Sequence, residues 1–137
     1  MFEVIYYSLT GNTKKVADAI ATELSVVAEN AKTKDTLAEE SFVFLGTGKY
    51  GPLRGLGFRQ FIDRNDFAGR KVALFGTSGN GRGEEVGALE EAVTAKGADV
   101  VGQFFCKGEF MFLVNRKRPT SKDLEDARAF AREMAEG

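Results

Sequence analysis

Short apolar runs alternate with stretches of helical periodicity along the chain. Five runs rich in β-branched and aromatic residues predict strands. They lie at residues 2–7, 25–28, 41–46, 71–76 and 99–105. Four stretches in which apolar residues recur every three or four positions predict helices. They lie at about residues 13–24, 56–65, 86–96 and 120–134. Alternating strands and helices, with glycine-containing loops after the buried strands, are typical of a parallel sheet covered on both faces.

Two local patterns refine this picture. Residues 30–40 are polar where a doubly wound fold would place a helix, so we expect only a turn or a brief helical piece near residues 36–40. Thr120 and Asp123 have the spacing of a capping box and predict the start of the last helix.

Composition excludes several classes of function. The 137 residues fit one domain, expected to span residues 1–137, and the net charge of −1 gives no reason to expect nucleic acid. No apolar run approaches the ~20 residues of a membrane span, and we expect no signal peptide. One cysteine excludes an internal disulfide and favours a cytoplasmic setting. The absence of histidine removes His-based catalysis and most zinc sites, so we predict neither a catalytic side chain nor a metal.

The segment from Ser8 to Thr13 carries the strongest chemical signal. Hydroxyls, an amide and a glycine follow the first strand and directly precede the first helix. Such a loop directs backbone N–H groups and hydroxyls at one point, to which the helix start adds a positive dipole end, so it suits a terminal monophosphate. It matches neither the Walker nor the dinucleotide-binding pattern. The alternative is a plain turn, because the same residue types are ordinary helix caps.

This segment resembles the phosphate loop of flavodoxins, whose pattern is hydroxyl-x-Thr-Gly-x-Thr and which also follows the first strand. The resemblance implies FMN as the cofactor. It also implies a three-layer α/β flavodoxin-like fold: a five-stranded parallel sheet of order 2-1-3-4-5 with helices on both faces.

In flavodoxins three loops meet at the crevice between the first and third strands. Their counterparts here are residues 8–13, which match by motif, and residues 47–52 and 77–83, which match by position and composition. The resemblance implies that these loops hold the phosphate and the two sides of the flavin ring. The implied cofactor-binding residues are Ser8, Leu9, Thr10, Gly11, Asn12, Thr13, Thr47, Gly48, Lys49, Tyr50, Gly51, Thr77, Ser78, Gly79, Asn80, Gly81 and Arg82.

Within these loops Tyr50 is the aromatic expected to stack on the ring, since the third loop has no aromatic and the chain has no tryptophan. The family pattern also implies a peptide flip in the second loop upon reduction, at either Gly48 or Gly51. We interpret Cys106 as a small core residue, the alternative being a thiol near the flavin edge. The apolar run at residues 110–114 either folds onto the core or covers the ring.

Two classes of function fit these residues. The first is an electron carrier, a monomer that shuttles single electrons between a reductase and an acceptor oxidoreductase. The second is an enzyme on the same scaffold, an FMN-dependent oxidoreductase such as a small NAD(P)H or quinone reductase. A dedicated activator of a redox enzyme is a third reading. Many flavodoxins are strongly acidic and this chain is not, so an acidic docking face is not implied.

Overall fold

The computed structural model describes residues 1–8, 11–48, 56–78, 83–107 and 119–137. Strands and helices alternate through these residues, as the hydrophobic pattern predicts. In chain order they are β1 Phe2–Tyr7, α1 Asn12–Glu23, β2 Ala28–Asn30, β3 Phe42–Gly48, α2 Leu56–Arg64, β4 Lys71–Ser78, α3 Glu84–Thr94, β5 Asp99–Lys107 and α4 Ser121–Glu136. Among the helices that the structure describes, none combines the length and apolar character that a membrane-spanning helix requires.

The strands form one parallel sheet of order β2-β1-β3-β4-β5, which confirms the predicted fold. Helices α1 and α4 cover one face, where Phe44 of β3 packs with Phe130 of α4. Helices α2 and α3 cover the other face, where Leu45 packs with Phe61 and Leu89. Because adjacent residues of a strand point to opposite faces and helices cover both faces, residues 42–45 of β3 and 72–75 of β4 are all apolar.

Aromatic side chains dominate the layer beneath α4. Phe44 is fully buried, stacks on Phe42 with a centroid distance of 5.2 Å, and meets Phe130 edge-on at 6.1 Å. Burying a phenylalanine side chain contributes about 2–3 kcal/mol. These contacts hold α4, the last helix of the chain, against the middle of the sheet.

The predicted second strand was wrong in position. Residues 25–27 form the turn that ends α1, and β2 begins only at Ala28. Ser25 adopts a left-handed φ of 59°, with its N–H donating to the Thr22 carbonyl, while the Val26 N–H donates to the Ala21 carbonyl. This pair of bonds is a Schellman motif, built without the usual glycine. Val27 is left 80% exposed, whereas Val26 is partly buried and packs against the core under α1 and α4.

The crossover from β2 to β3 is short, as expected, and residues 31–41 contain no helix. Two hydrogen bonds and an ion pair connect this crossover to Glu3 of β1. Glu3 Oε1 accepts hydrogen bonds from Ala38 N at 2.9 Å and Ser41 Oγ at 2.6 Å, and its Oε2 lies 3.2 Å from Lys34 Nζ. Arg70 closes the other side by donating to Ser41 Oγ at 2.8 Å.

Three strands continue past their predicted ends. β3 ends at Gly48, β4 at Ser78 and β5 at Lys107, each two residues later than predicted. The ladder continues because partners are available: Gly48 pairs with Thr77, and Ser78 pairs with Lys107. The hydroxyl and glycine residues at the ends of β3 and β4 had predicted loops, but they belong to the strands. They are Thr47, Gly48, Thr77 and Ser78.

The helix predictions were better. All four predicted helices are present, with ends shifted by only a few residues. The capping box is confirmed: Asp123 N donates to Thr120 Oγ1 at 3.1 Å, and Thr120 N donates to Asp123 Oδ2 at 2.8 Å.

Candidate cofactor site

Hydroxyl and glycine residues end three neighbouring strands on the same edge of the sheet. Tyr7 at the end of β1 pairs with Thr47 of β3, and Gly48 pairs with Thr77 of β4. In the order 2-1-3-4-5 the chain leaves β1 and β3 in opposite directions, which opens a crevice beyond their carboxyl ends. Ligands of doubly wound sheets bind in this crevice.

Helix α1 begins at this crevice with an open N-terminus. Its N-cap is Gly11 with φ of 91°, so no N-cap side chain occupies the first-turn N–H groups, and the first turn holds no acidic residue. A Cβ built on Gly11 would meet nothing within 4 Å, so glycine is needed there for its conformation rather than for space. Ser8 Oγ accepts a hydrogen bond from Gly11 N at 2.9 Å, which connects the residue after β1 to the N-cap of α1.

The starts of α3 and α4 lack this combination. The first turn of α4 is occupied by its own capping box. Helix α3 also has a glycine N-cap, Gly83, but it begins with the acidic residues Glu84 and Glu85. Since an anion is stabilised at an uncapped N-terminus free of carboxylates, the start of α1 suits an anion better than the starts of α3 and α4.

The nearest lysine on α1 is engaged elsewhere. Lys14 Nζ lies 2.9 Å from Asp18 Oδ2 in an exposed pair one turn along the helix. This hydrogen bond and the Asp18 charge raise the pKa of Lys14. The donors that the structure places at the start of α1 are therefore uncharged hydroxyls and backbone N–H groups.

A buried hydrogen bond joins α1 to β4. Thr13 is the second residue of α1, and Thr77 is the last but one residue of β4. Their Oγ1 atoms lie 2.8 Å apart. Thr13 is fully buried and Thr77 nearly so. The start of the first helix and the end of the fourth strand are thus tied together across 64 positions of sequence.

Eight of the sequence-predicted site residues fall in the described part of the chain, and they meet at this edge. They are Ser8, Gly11, Asn12, Thr13, Thr47, Gly48, Thr77 and Ser78. The remaining nine lie outside the described residues, so they stay predictions. They are Leu9, Thr10, Lys49, Tyr50, Gly51, Gly79, Asn80, Gly81 and Arg82. The run at residues 110–114 also lies outside them.

One acidic side chain near this edge, Glu85, is not among the residues predicted from the sequence, whereas the thiol of Cys106 lies where it was predicted. Glu85 in the first turn of α3 is only 4% exposed, and a Cβ built on Gly76 of β4 would lie 2.5 Å from its Oε1. The Gly83-Glu84-Glu85 run signals an acidic helix start, but its burial depends on the missing side chain at Gly76. Cys106 lies in β5 and packs in the core under α4, as we interpreted it.

The parallel sheet of this order, with an anion-accepting helix start at the first crossover, defines a doubly wound α/β protein of the flavodoxin-like class. Comparison with known proteins carries this further. A family model described as "Flavodoxin domain" matches residues 3–134. The flavodoxin of Clostridium beijerinckii is 33% identical over 110 residues, which cover 72% of this chain and 80% of that protein.

Two further relatives agree. The flavodoxin of Megasphaera elsdenii is 31% identical over 115 residues, covering 74% of this chain and 82% of that protein. The crystal structure of oxidised flavodoxin 2 from Bacillus cereus aligns with a TM-score of 0.73 at 25% identity, covering 98% of this chain and 97% of that one. The chain belongs to the flavodoxin family, with the length of its short-chain members.

FMN is accordingly the cofactor, and electron transfer with redox partner proteins is the function at this level. The described residues fit it. The open N-terminus of α1 suits the phosphate, and the small side chains of Thr47, Gly48 and Ser78 leave room for a flat ring beyond the strand ends.

Proposed function

We propose that this chain is a single-domain electron carrier, acting as a monomer in the cytoplasm, which shuttles single electrons between a reductase and an acceptor oxidoreductase. A single cysteine, which excludes an internal disulfide, supports the cytoplasmic setting. Continuous packing from β1 to α4 around one sheet supports a single domain.

The observation that carries the proposal is the start of α1. In the described part of the chain, Ser8 Oγ accepts from Gly11 N, and no N-cap side chain occupies the N–H groups that follow Gly11. The first turn of α1 has no acidic residue, and Lys14 is paired with Asp18. Uncharged donors together with a helix dipole suit a phosphate monoester. Ser8, Gly11, Asn12 and Thr13, with the predicted Leu9 and Thr10, would hold the phosphate of FMN.

The strand ends beside it would hold the ring. Thr47 and Gly48 of β3 and Ser78 of β4 are on the edge next to the phosphate end. The predicted ring contacts, Tyr50 above all, follow Gly48 directly in sequence. FMN supplies the redox chemistry, and the protein supplies orientation and hydrogen bonding.

The side chains at these strand ends favour a carrier over an acid–base enzyme. Tyr7, Thr47, Thr77 and Ser78 end β1, β3 and β4. None of the four is a carboxylate, histidine, lysine or cysteine, which are the side chains that most often act as general acids and bases. Their chemistry is to donate and accept hydrogen bonds.

The phosphate assignment is tested by FMN and riboflavin binding, measured from the quenching of flavin fluorescence on addition to the apoprotein. We expect Thr13→Val to weaken FMN binding about tenfold or more, the usual cost of a lost hydrogen bond to a charged group. Riboflavin, which has no phosphate, should bind both proteins equally. Thr22→Val, an exposed position in the last turn of α1, is the matched control and should bind FMN like the wild type.

The carrier assignment is tested by titrating the FMN-loaded protein with dithionite while recording absorbance. We expect two separately resolved one-electron steps, and only slow bleaching by a reduced nicotinamide unless a reductase is added. Rapid direct bleaching would instead identify a reductase. Apoprotein that binds no FMN would contradict the whole assignment.

A further inference from the structure

The loop pattern places Thr77 in the third loop, among the residues that would contact the flavin ring. Thr77 lies two residues after Phe75 and four after Ala73, and both pack in the core under α1 and α4. Since alternate residues of a strand share a face, the side chain of Thr77 lies on that face and not on the face of Leu74. On that face its hydroxyl meets Thr13 at 2.8 Å. Among the described residues, this hydrogen bond connects Thr77 to the phosphate end of the site.

We infer that Thr77 is a positioning residue for the phosphate: it orients the Thr13 hydroxyl and holds the N-terminus of α1 against the end of β4. The inference rests on the proposed FMN site. It assigns to β4, which the loop pattern connects with the ring alone, a part in selecting a phosphate ester over an unphosphorylated flavin.

The argument begins with burial. Thr13 is fully buried and Thr77 is 3% exposed, so water does not set the orientation of either hydroxyl. A threonine hydroxyl has one proton to donate and lone pairs to accept. In the buried pair one hydroxyl must donate to the other, and an uncompensated buried hydroxyl is costly.

The chemistry of phosphate then fixes the direction. The dianion of a phosphate monoester only accepts hydrogen bonds, so a hydroxyl that serves it must donate to it. Thr13 has its proton available for that purpose only when Thr77 is the donor within the pair. A chain of hydroxyls that donate in the same direction is mutually strengthening. With Thr77 as the donor within the pair, the proton of Thr13 is directed to the phosphate.

The position of the pair adds a geometric effect. Thr13 is one residue beyond the start of α1, and the Gly11 carbonyl already accepts from Lys15 N at 3.1 Å within the helix. A bond from this first turn to β4 restricts the motion of the N–H groups that face the phosphate. Preorganised donors bind more tightly because less order has to be imposed on binding.

The test compares Thr77→Val, which keeps the shape and removes the hydroxyl, with Thr77→Ser, which keeps the hydroxyl. We expect Thr77→Val to raise the FMN dissociation constant about tenfold and leave the riboflavin constant within about twofold. Thr77→Ser should restore FMN binding. Thr94→Val, at an exposed position at the end of α3, is the matched control. Thr77→Ala replaces the valine variant if the latter does not fold.

Two further measurements separate positioning from general destabilisation. Inorganic phosphate should raise the melting temperature of the wild-type apoprotein and raise that of Thr77→Val less. The Thr13→Val, Thr77→Val double variant should bind FMN no more than about twofold more weakly than Thr13→Val alone, since the two hydroxyls act as one unit.

The outcomes distinguish the two claims. Equal losses for FMN and riboflavin, additive losses in the double variant, or no loss in Thr77→Val would overturn the role of Thr77 while leaving the FMN site intact. Wild-type protein that binds neither FMN nor phosphate would overturn the proposed function and this inference with it.

Discussion

Glu3 offers the sharpest test of how the short crossover is held, through the substitution Glu3→Gln. The carboxylate is 9% exposed and receives hydrogen bonds from Ala38 N and Ser41 Oγ, while Lys34 Nζ lies 3.2 Å from it. Glutamine keeps one oxygen, which can still accept from both Ala38 and Ser41 because both donate to Oε1. It replaces the other by an NH2 group, which cannot accept from the Lys34 ammonium.

The expected loss follows from these contacts. Hydrogen bonds to a charged group contribute about 1.5–3 kcal/mol each, against about 1 kcal/mol for neutral ones. One neutral acceptor survives in the variant, so we expect Glu3→Gln to lower the free energy of unfolding by about 1–2 kcal/mol at pH 7. For a domain of this size that corresponds to a fall in melting temperature of about 4–8 °C.

The pH dependence provides a second signature. Burial by itself would raise the pKa of Glu3, but the bonds from Ser41 and Ala38 and the Lys34 ammonium outweigh it, so the pKa lies below the ordinary 4.5. A lowered native pKa means that the stabilisation is present above the unfolded pKa and is lost as the pH falls through the native one. The difference between wild type and Glu3→Gln should therefore shrink as the pH falls from 7 to about 3.

The assay is urea unfolding followed by circular dichroism at both pH values, with Glu29→Gln as the control. Glu29 also pairs with Lys34, at 3.3 Å, but is 46% exposed, so its neutralisation should change stability little. Wild type and Glu3→Gln of equal stability at pH 7, or a difference that is unchanged at low pH, would refute the reasoning.

Two further substitutions test the packing and the capping that were assigned above. Phe44→Ala should lower the free energy of unfolding by about 3–5 kcal/mol, because it removes a fully buried ring between Phe42 and Phe130, and a loss below about 1 kcal/mol in urea unfolding would contradict the packing described. Thr120→Ala should cost about 1 kcal/mol by breaking the α4 capping box, whereas Ser121→Ala at the next position should be nearly neutral, and equal melting temperatures for the two variants would contradict the cap.

Local signals in the sequence predicted the architecture and the first loop. Strand and helix periodicities depend only on neighbours within a few positions, so residues such as Phe44 and Leu45 reveal a buried strand by themselves. The Ser8–Thr13 motif is equally local, and family membership agrees with the cofactor that it implied. The Thr120–Asp123 box was readable because both of its bonds lie within one helical turn.

The errors arose where a neighbouring element overrides a local preference. Val26 and Val27 favour a strand, but the carbonyls at the end of α1 needed partners, and the Schellman turn supplied them. Thr77 and Ser78 look like loop residues, yet β3 and β5 offer them ladder partners. A short segment of sequence does not reveal which strands lie next to it in the folded sheet.

By itself, the sequence determined the alternation of strands and helices, the sheet order that such an alternation favours, and the residue types that could meet a phosphate. Only the tertiary structure decided which of those residues pair with each other. The bond from Thr13 to Thr77 spans 64 positions, and the burial of Glu85 depends on Gly76 in another element. Periodicity is a property of short segments, whereas a hydrogen bond between segments exists only once packing has brought their atoms within about 3 Å.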